Sequence, residues 1–122
     1  MLIKDFYKIG QLSSTETDLK ASIVLNPDHE VYKGHFPSQP VVPGVIQLQI
    51  VKELLENQFG QKLFMGSITQ VKYLIPITPA ENNVLNISIS KKIDESNTFK
   101  TNVSIHFGDT VFTKAKITFT YL

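Results

Sequence analysis

The sequence contains no cysteine, no tryptophan and no arginine in 122 residues. Without cysteine there is no disulfide framework, no thiolate zinc site and no cysteine nucleophile. The 12 cations, all lysine, are balanced by 11 acidic residues for a formal net charge of +1. That balance lacks the clustered basic charge of a nucleic-acid binder. No apolar run reaches the length of a membrane span. The opening Met1-Leu2-Ile3-Lys4-Asp5-Phe6 has a charge within four residues and lacks the apolar stretch of a signal peptide. His29 and His106 have no Asp, Glu or His at ligand spacing, which argues against a metal site. The expectation is a soluble cytoplasmic chain with no metal and no cofactor, folded as one domain over residues 1–122 with a core of its own.

Hydrophobic patterning divides the chain into three parts. From Phe6 to Leu25 a pair of strands is expected, with Leu19, Ala21, Ile23 and Leu25 alternating against Asp18, Lys20, Ser22 and Val24. Ser13-Ser14-Thr15 is the expected turn between them, and Asn26-Pro27-Asp28 ends the second. The middle part holds the only long helical pattern, Val45 to Phe59, apolar over too much of its circumference for one stripe. Pro43 suits its first turn, and Gly60 sits where helices commonly stop. The third part, Leu63 to Leu122, reads as four strands, broken at Ile75-Pro76-Ile77-Thr78-Pro79, Glu95-Ser96-Asn97 and Gly108-Asp109. Lys91-Lys92 reads as a solvated turn, His29 as an exposed loop residue and His106 as a structural residue on a strand. The fold class is therefore α+β, an antiparallel sheet curled round one long helix. Such a helix needs cover on its far side, from a strongly curved sheet or from a second chain, and a dimer is expected on these packing grounds.

The chemistry is concentrated in Gly34-His35-Phe36-Pro37-Ser38-Gln39-Pro40-Val41-Val42-Pro43-Gly44-Val45. Three prolines in seven residues stiffen this loop and would fix His35 in place. The helix start at Pro43-Gly44 presents free amide hydrogens and the positive end of the helix dipole. Gly44 would let a ligand reach those amides. A fixed histidine beside such a start is a candidate base beside a candidate oxyanion site. The plainer alternative is a proline-rich corner in which Gly44 serves close packing.

Gly34-His35-Phe36-Pro37, Pro40 and Pro43-Gly44-Val45 resemble the signature of the hot-dog-fold 3-hydroxyacyl-acyl-carrier-protein dehydratases. The flanks are similar too: Asp28-His29-Glu30-Val31-Tyr32 before the motif, and Lys72-Tyr73-Leu74-Ile75-Pro76-Ile77-Thr78-Pro79-Ala80-Glu81 after the helix, with Ala80 for the usual glycine. The resemblance implies the hot-dog fold and water elimination from a 3-hydroxyacyl thioester to give the trans-2-enoyl thioester, in fatty-acid or polyene biosynthesis. It implies His35 as the base for the alpha proton and the Gly44 amide as donor to the thioester carbonyl. Phe36, Pro43 and Val45 would contact substrate. It further implies an acyl carrier protein as partner, sites shared across a homodimer, and either dimers or trimers of dimers. Lys33 and Lys72 flank the motif where the acidic helix of a carrier could dock.

One position departs from the family. Its second catalytic residue is a carboxylic acid fourteen positions after the histidine, and that position is Gln49 here. An amide donates a hydrogen bond but delivers no proton at neutral pH; losing a positioned general acid costs on the order of 10²–10⁴ in rate. Glu53, one turn on, is displaced by roughly 6 Å along the helix. Gln47 is a second amide in the same apolar region, and Pro-Gly-Val-x-Gln occurs in pigment-polyene members of the family. Two alternatives follow: a hot-dog acyl thioesterase, and a non-catalytic acyl-carrier-binding subunit that pairs with a complete dehydratase.

Overall fold

The computed structural model describes residues 5–34, 38–93 and 96–122. His35, Phe36 and Pro37 therefore lie outside the described residues.

The strands are β1 (Tyr7–Ser14), β2 (Asp18–Leu25), β3 (Leu63–Tyr73), β4 (Val84–Ile93), β5 (Thr98–Phe107) and β6 (Thr110–Tyr121). The helices are a single turn, α1 (Val31–Gly34), and the long α2 (Gly44–Phe59). All six strands join one antiparallel sheet in the order β1-β2-β4-β5-β6-β3, so β1 and β3 are its edges.

Period-two alternation makes one face of this sheet apolar. Leu19, Ala21, Ile23 and Leu25 on β2 are buried, as are Leu85, Ile87 and Ile89 on β4. Val103 and Ile105 on β5 and Ala115, Ile117 and Phe119 on β6 complete that face. The helix packs against it and buries Leu48, Ile50, Val51, Leu54 and Leu55. Wrapping a curved sheet around one helix therefore covers most of α2 within a single chain. Gly60 ends α2 in the left-handed conformation at φ 64°, its N–H bonded to Glu56 O at 2.9 Å. The Glu56 carboxylate then accepts the Leu63 N–H at 2.8 Å, which ties the helix end to the start of β3. Among the described residues no helix is long and apolar enough to cross a membrane.

Several local expectations need correction. The first turn falls at residues 15–17, because β1 continues through Ser14. Lys91-Lys92 is not a turn: β4 runs on to Ile93, and Lys91 is buried. The inward series Ile87, Ile89 continues to Lys91, whose stem crosses the Phe59 ring with Nζ 4.6 Å from its centroid. Its ammonium donates to Gln58 Oε1 at 2.8 Å and to Thr15 O at 3.4 Å. Burial pushes this ammonium below the usual lysine pKa, partly offset by the Asp18 carboxylate. His29 is half-buried rather than exposed; its Nδ1 accepts the Val31 N–H at 3.1 Å and its ring meets Phe6 edge-on.

Candidate active site at the start of α2

The segment leading into α2 is held by Val42 N–H donating to Ile77 O at 2.9 Å. Pro43 then has φ −58° and ψ 143°, which suits proline and an extended entry into the helix. Pro43 O accepts the N–H groups of both Ile46 and Gln47 at 3.1 Å. The N–H groups of Gly44 and Val45 have no backbone acceptor among the described residues, as geometry dictates for a first turn. Two donors and the positive end of a 16-residue helix therefore converge where a carbonyl oxygen could be polarised.

Tyr73, at the end of β3, covers this start. A Cβ placed on Gly44 would lie 2.5 Å from both Cζ and Oη of Tyr73. Only glycine admits the phenol so close to the helix backbone. The Tyr73 side chain remains 48% exposed, and burial of the rest pushes its hydroxyl pKa upward. No pattern in the sequence relates Tyr73 to Gly44; the contact arises from the return of β3 across the helix start. Val45 is 74% exposed.

One and a half turns along α2, Gln49 is half-buried and its Nε2 donates to Glu53 Oε2 at 3.1 Å. Glu53 is buried, and Tyr7 donates its hydroxyl to Oε1 at 3.0 Å. Both carboxylate oxygens thus accept bonds from within the chain. Burial, followed by the Glu53 charge and hydrogen bond, raises the Tyr7 pKa and keeps the phenol a donor. A carboxylate only accepts, so the Gln49 NH₂ must face Glu53 and its carbonyl oxygen must point elsewhere. Gln49 and Glu53 line a hollow of about 270 Å³ with Lys52, Glu56, Lys62, Leu63 and Leu122. Sequence spacing had set Glu53 a full turn away from Gln49. The side chains close that gap.

Gln47 has a different role. It is buried, donates to Val42 O at 3.3 Å and accepts the Thr113 hydroxyl at 2.5 Å. It fastens the loop before α2 to β6. His106 bonds Ser88 Oγ at 3.1 Å on the sheet's outward side. Among the described residues no group of three His, Cys, Asp or Glu could hold a metal ion.

An antiparallel sheet wrapped around a single long helix is the hot-dog fold, and known proteins place the chain within it. The sequence matches the ApeI dehydratase family, described as ApeI-like, over residues 11–114. The chain belongs to that ApeI-like dehydratase family. The 3-hydroxyacyl-[acyl-carrier-protein] dehydratase FabZ of Levilactobacillus brevis is 29% identical over 99 residues, covering 75% of this chain and 66% of that protein. Among solved structures, the dehydratase heterocomplex ApeI:P from Xenorhabdus doucetiae superposes with a TM-score of 0.74 at 22% identity, over 93% of this chain and 96% of that one. A mutant of the fluoroacetyl-CoA-specific thioesterase FlK superposes with a TM-score of 0.69 at 12% identity, over 90% of each. Thioesterases thus share the fold.

Proposed function

We propose that this chain acts on 3-hydroxyacyl thioesters borne by an acyl carrier protein, and that it eliminates water to form the trans-2-enoyl thioester. The observation that carries this reading is the start of α2, where the open Gly44 and Val45 amides meet the Pro43-Gly44-Val45 portion of the motif. In this reading the thioester carbonyl oxygen sits against the Gly44 N–H. The charge that develops there as His35 removes the alpha proton is thereby stabilised. Phe36, Pro43 and Val45 contact the acyl arm. The carbon–oxygen bond at C3 then breaks, the double bond forms between C2 and C3, and the hydroxyl leaves with a proton as water.

That proton is not available from Gln49. Its NH₂ is committed to Glu53, so its carbonyl oxygen can only accept a hydrogen bond from the 3-hydroxyl. Glu53 in turn already serves Tyr7 and Gln49. The proton balance closes if His35 returns its proton to the departing hydroxyl, or if a carboxylic acid from a second chain supplies one. The second route needs a site completed by another subunit, and a similar structure, ApeI:P, is a dehydratase heterocomplex. The exposed apolar edge at β3, with Phe64, Ile68, Val71 and Tyr73, supports a second chain there, either another copy or a homologue.

Intact mass of a 3-hydroxyacyl carrier protein incubated with the purified protein tests the proposal. Loss of one water is the expected result. Release of the free acid would instead assign a thioesterase, and an unchanged mass would assign a subunit that needs a carboxylate-bearing partner. Gln49→Glu should then raise the rate on the order of 10²-fold by restoring a general acid.

A further inference from the structure

The face of the sheet turned away from α2 has an ordered composition of its own. Strand register aligns Lys20 on β2 with Ser88 on β4, Ser88 with Ser104 on β5, Ser104 with Lys114 on β6, and Lys114 with Lys72 on β3. The next outward row aligns Ser90 with Asn102 and Asn102 with Lys116. The alternate positions Leu19, Ile89, Val103 and Ala115 are buried beneath. Read across the strands, the first row is long, short, short, long. Lysines stand at both sides and hydroxyl side chains lie between them, so the row forms a trough on a face that would otherwise be featureless. These residues line one hollow of about 380 Å³, a volume typical of small-molecule sites.

The trough is electrostatically one-sided. Lys72 and Lys114 are directly opposed cross-strand neighbours, an arrangement that destabilises a sheet, and Lys116 lies two residues along the same face. Asp18 is the only acid in the lining. Among the described residues none of the four lysines forms an ion pair. Lysine ammoniums act as point charges suited to phosphate, whereas bidentate carboxylate recognition is the work of arginine, which this chain lacks. The Ser90 and Ser104 hydroxyls and the Asn102 amide provide short neutral donors along the floor, and the Ser88 hydroxyl is shared with His106. Lys20 and Lys114 are separated by three strand spacings, about 14 Å between backbones. Extended lysine stems from both sides would converge on an anion at the centre.

We propose that this outward trough binds a small molecule carrying a di- or triphosphate, gripped between Lys20 on one wall and Lys72, Lys114 and Lys116 on the other. It lies across the sheet from α2, so the site is separate from the thioester site and does not depend on it.

Inorganic triphosphate, titrated into the full chain at physiological ionic strength, is the probe. Calorimetry and amide chemical shifts should report one saturable site, with shifts centred on Ser88, Asn102 and Ser104. Lys20→Gln and Lys114→Gln should each weaken binding about tenfold, the loss of one charge-assisted hydrogen bond. Ser104→Glu should abolish it by placing a carboxylate in the floor. Lys8→Gln, on β1 and outside the trough, should leave it within about twofold. The proposal is overturned if binding does not saturate, or if all lysine variants, Lys8→Gln included, weaken it equally, since either marks a solvated cationic face. Binding to anionic phospholipid vesicles with no response to triphosphate would also overturn it, in favour of a membrane-surface contact.

Discussion

Two buried tyrosines make opposite demands on the core. The Tyr7 hydroxyl donates to the buried Glu53 carboxylate, whereas the Tyr32 hydroxyl is buried with no hydrogen-bond partner among the described residues. Removing a partner from a buried charge costs about 1–3 kcal/mol, while removing an unsatisfied hydroxyl costs little or nothing. Tyr7→Phe should therefore lower the unfolding free energy by that amount in urea titrations, and Tyr32→Phe should leave it unchanged or raise it. The pH dependence has a definite sign as well. Burial raises both pKa values above the ordinary tyrosine value, with the Glu53 charge adding to the shift at Tyr7. The unfolded chain thus ionises first as pH rises. The stability linked to these phenols is complete below about pH 10 and is lost progressively above it. Tyr7→Phe should flatten that alkaline decline, and an equally steep decline in the variant would assign it to other groups. None of this was legible in the sequence, because Tyr7 and Glu53 lie 46 positions apart. No local pattern records a hydrogen bond across a sheet edge.

Where β3 returns over α2, a single glycine separates two readings of the motif. If Gly44 exists only to admit the Tyr73 ring, an added methyl should cost packing energy; if it exists to admit a thioester, the methyl should cost rate. The collision at 2.5 Å is with the outer end of a half-exposed side chain that can rotate outward. Alanine in a helix is favoured over glycine by about 1 kcal/mol. Gly44→Ala should accordingly keep its thermal midpoint near that of the parent while dehydration falls on the order of 10²–10³-fold, because the methyl holds the thioester oxygen away from the Gly44 N–H, with an effect like that of losing the donor. A fall in stability with activity retained would leave Gly44 a packing residue. At this scale the sequence was more informative. Period-two alternation located β2, β4 and β6, and Pro43 and Gly60 bracketed α2. Alternation failed where a polar residue continued an apolar series, at Lys91. Four residues were too few to reveal α1. The motif residues His35, Phe36 and Pro37 lie outside the described residues, so the role proposed for that loop rests on the motif alone.

At the scale of the whole molecule, the helix that led to the expectation of a dimer does not itself require one. The chain covers most of α2 unaided, and about half of the large apolar side chains it leaves exposed lie on the β3 edge and just beyond it. Phe64 is 55% exposed, Ile68 44%, Tyr73 48%, Leu74 52% and Ile75 44%. An open, apolar edge strand offers unpaired backbone groups beside exposed apolar side chains, and proteins rarely leave such an edge uncovered. This edge ends at Tyr73, beside the Gly44 amides, so a second chain paired along β3 would stand next to the proposed site. Covering the edge and completing the site then become one event. Sedimentation velocity should show the wild-type chain as a dimer at micromolar concentration. Ile68→Lys introduces a charge that must be desolvated if the edge is buried, and it should shift the species to monomer. The same variant should retain its circular dichroism, because Ile68 lies outside the buried core, yet lose dehydration because each site lacks its neighbour. A folded monomeric Ile68→Lys with undiminished activity would show that one chain contains every group the reaction needs. The departing hydroxyl would then take its proton from within this chain, with His35 the candidate that Gln49 and Glu53 leave.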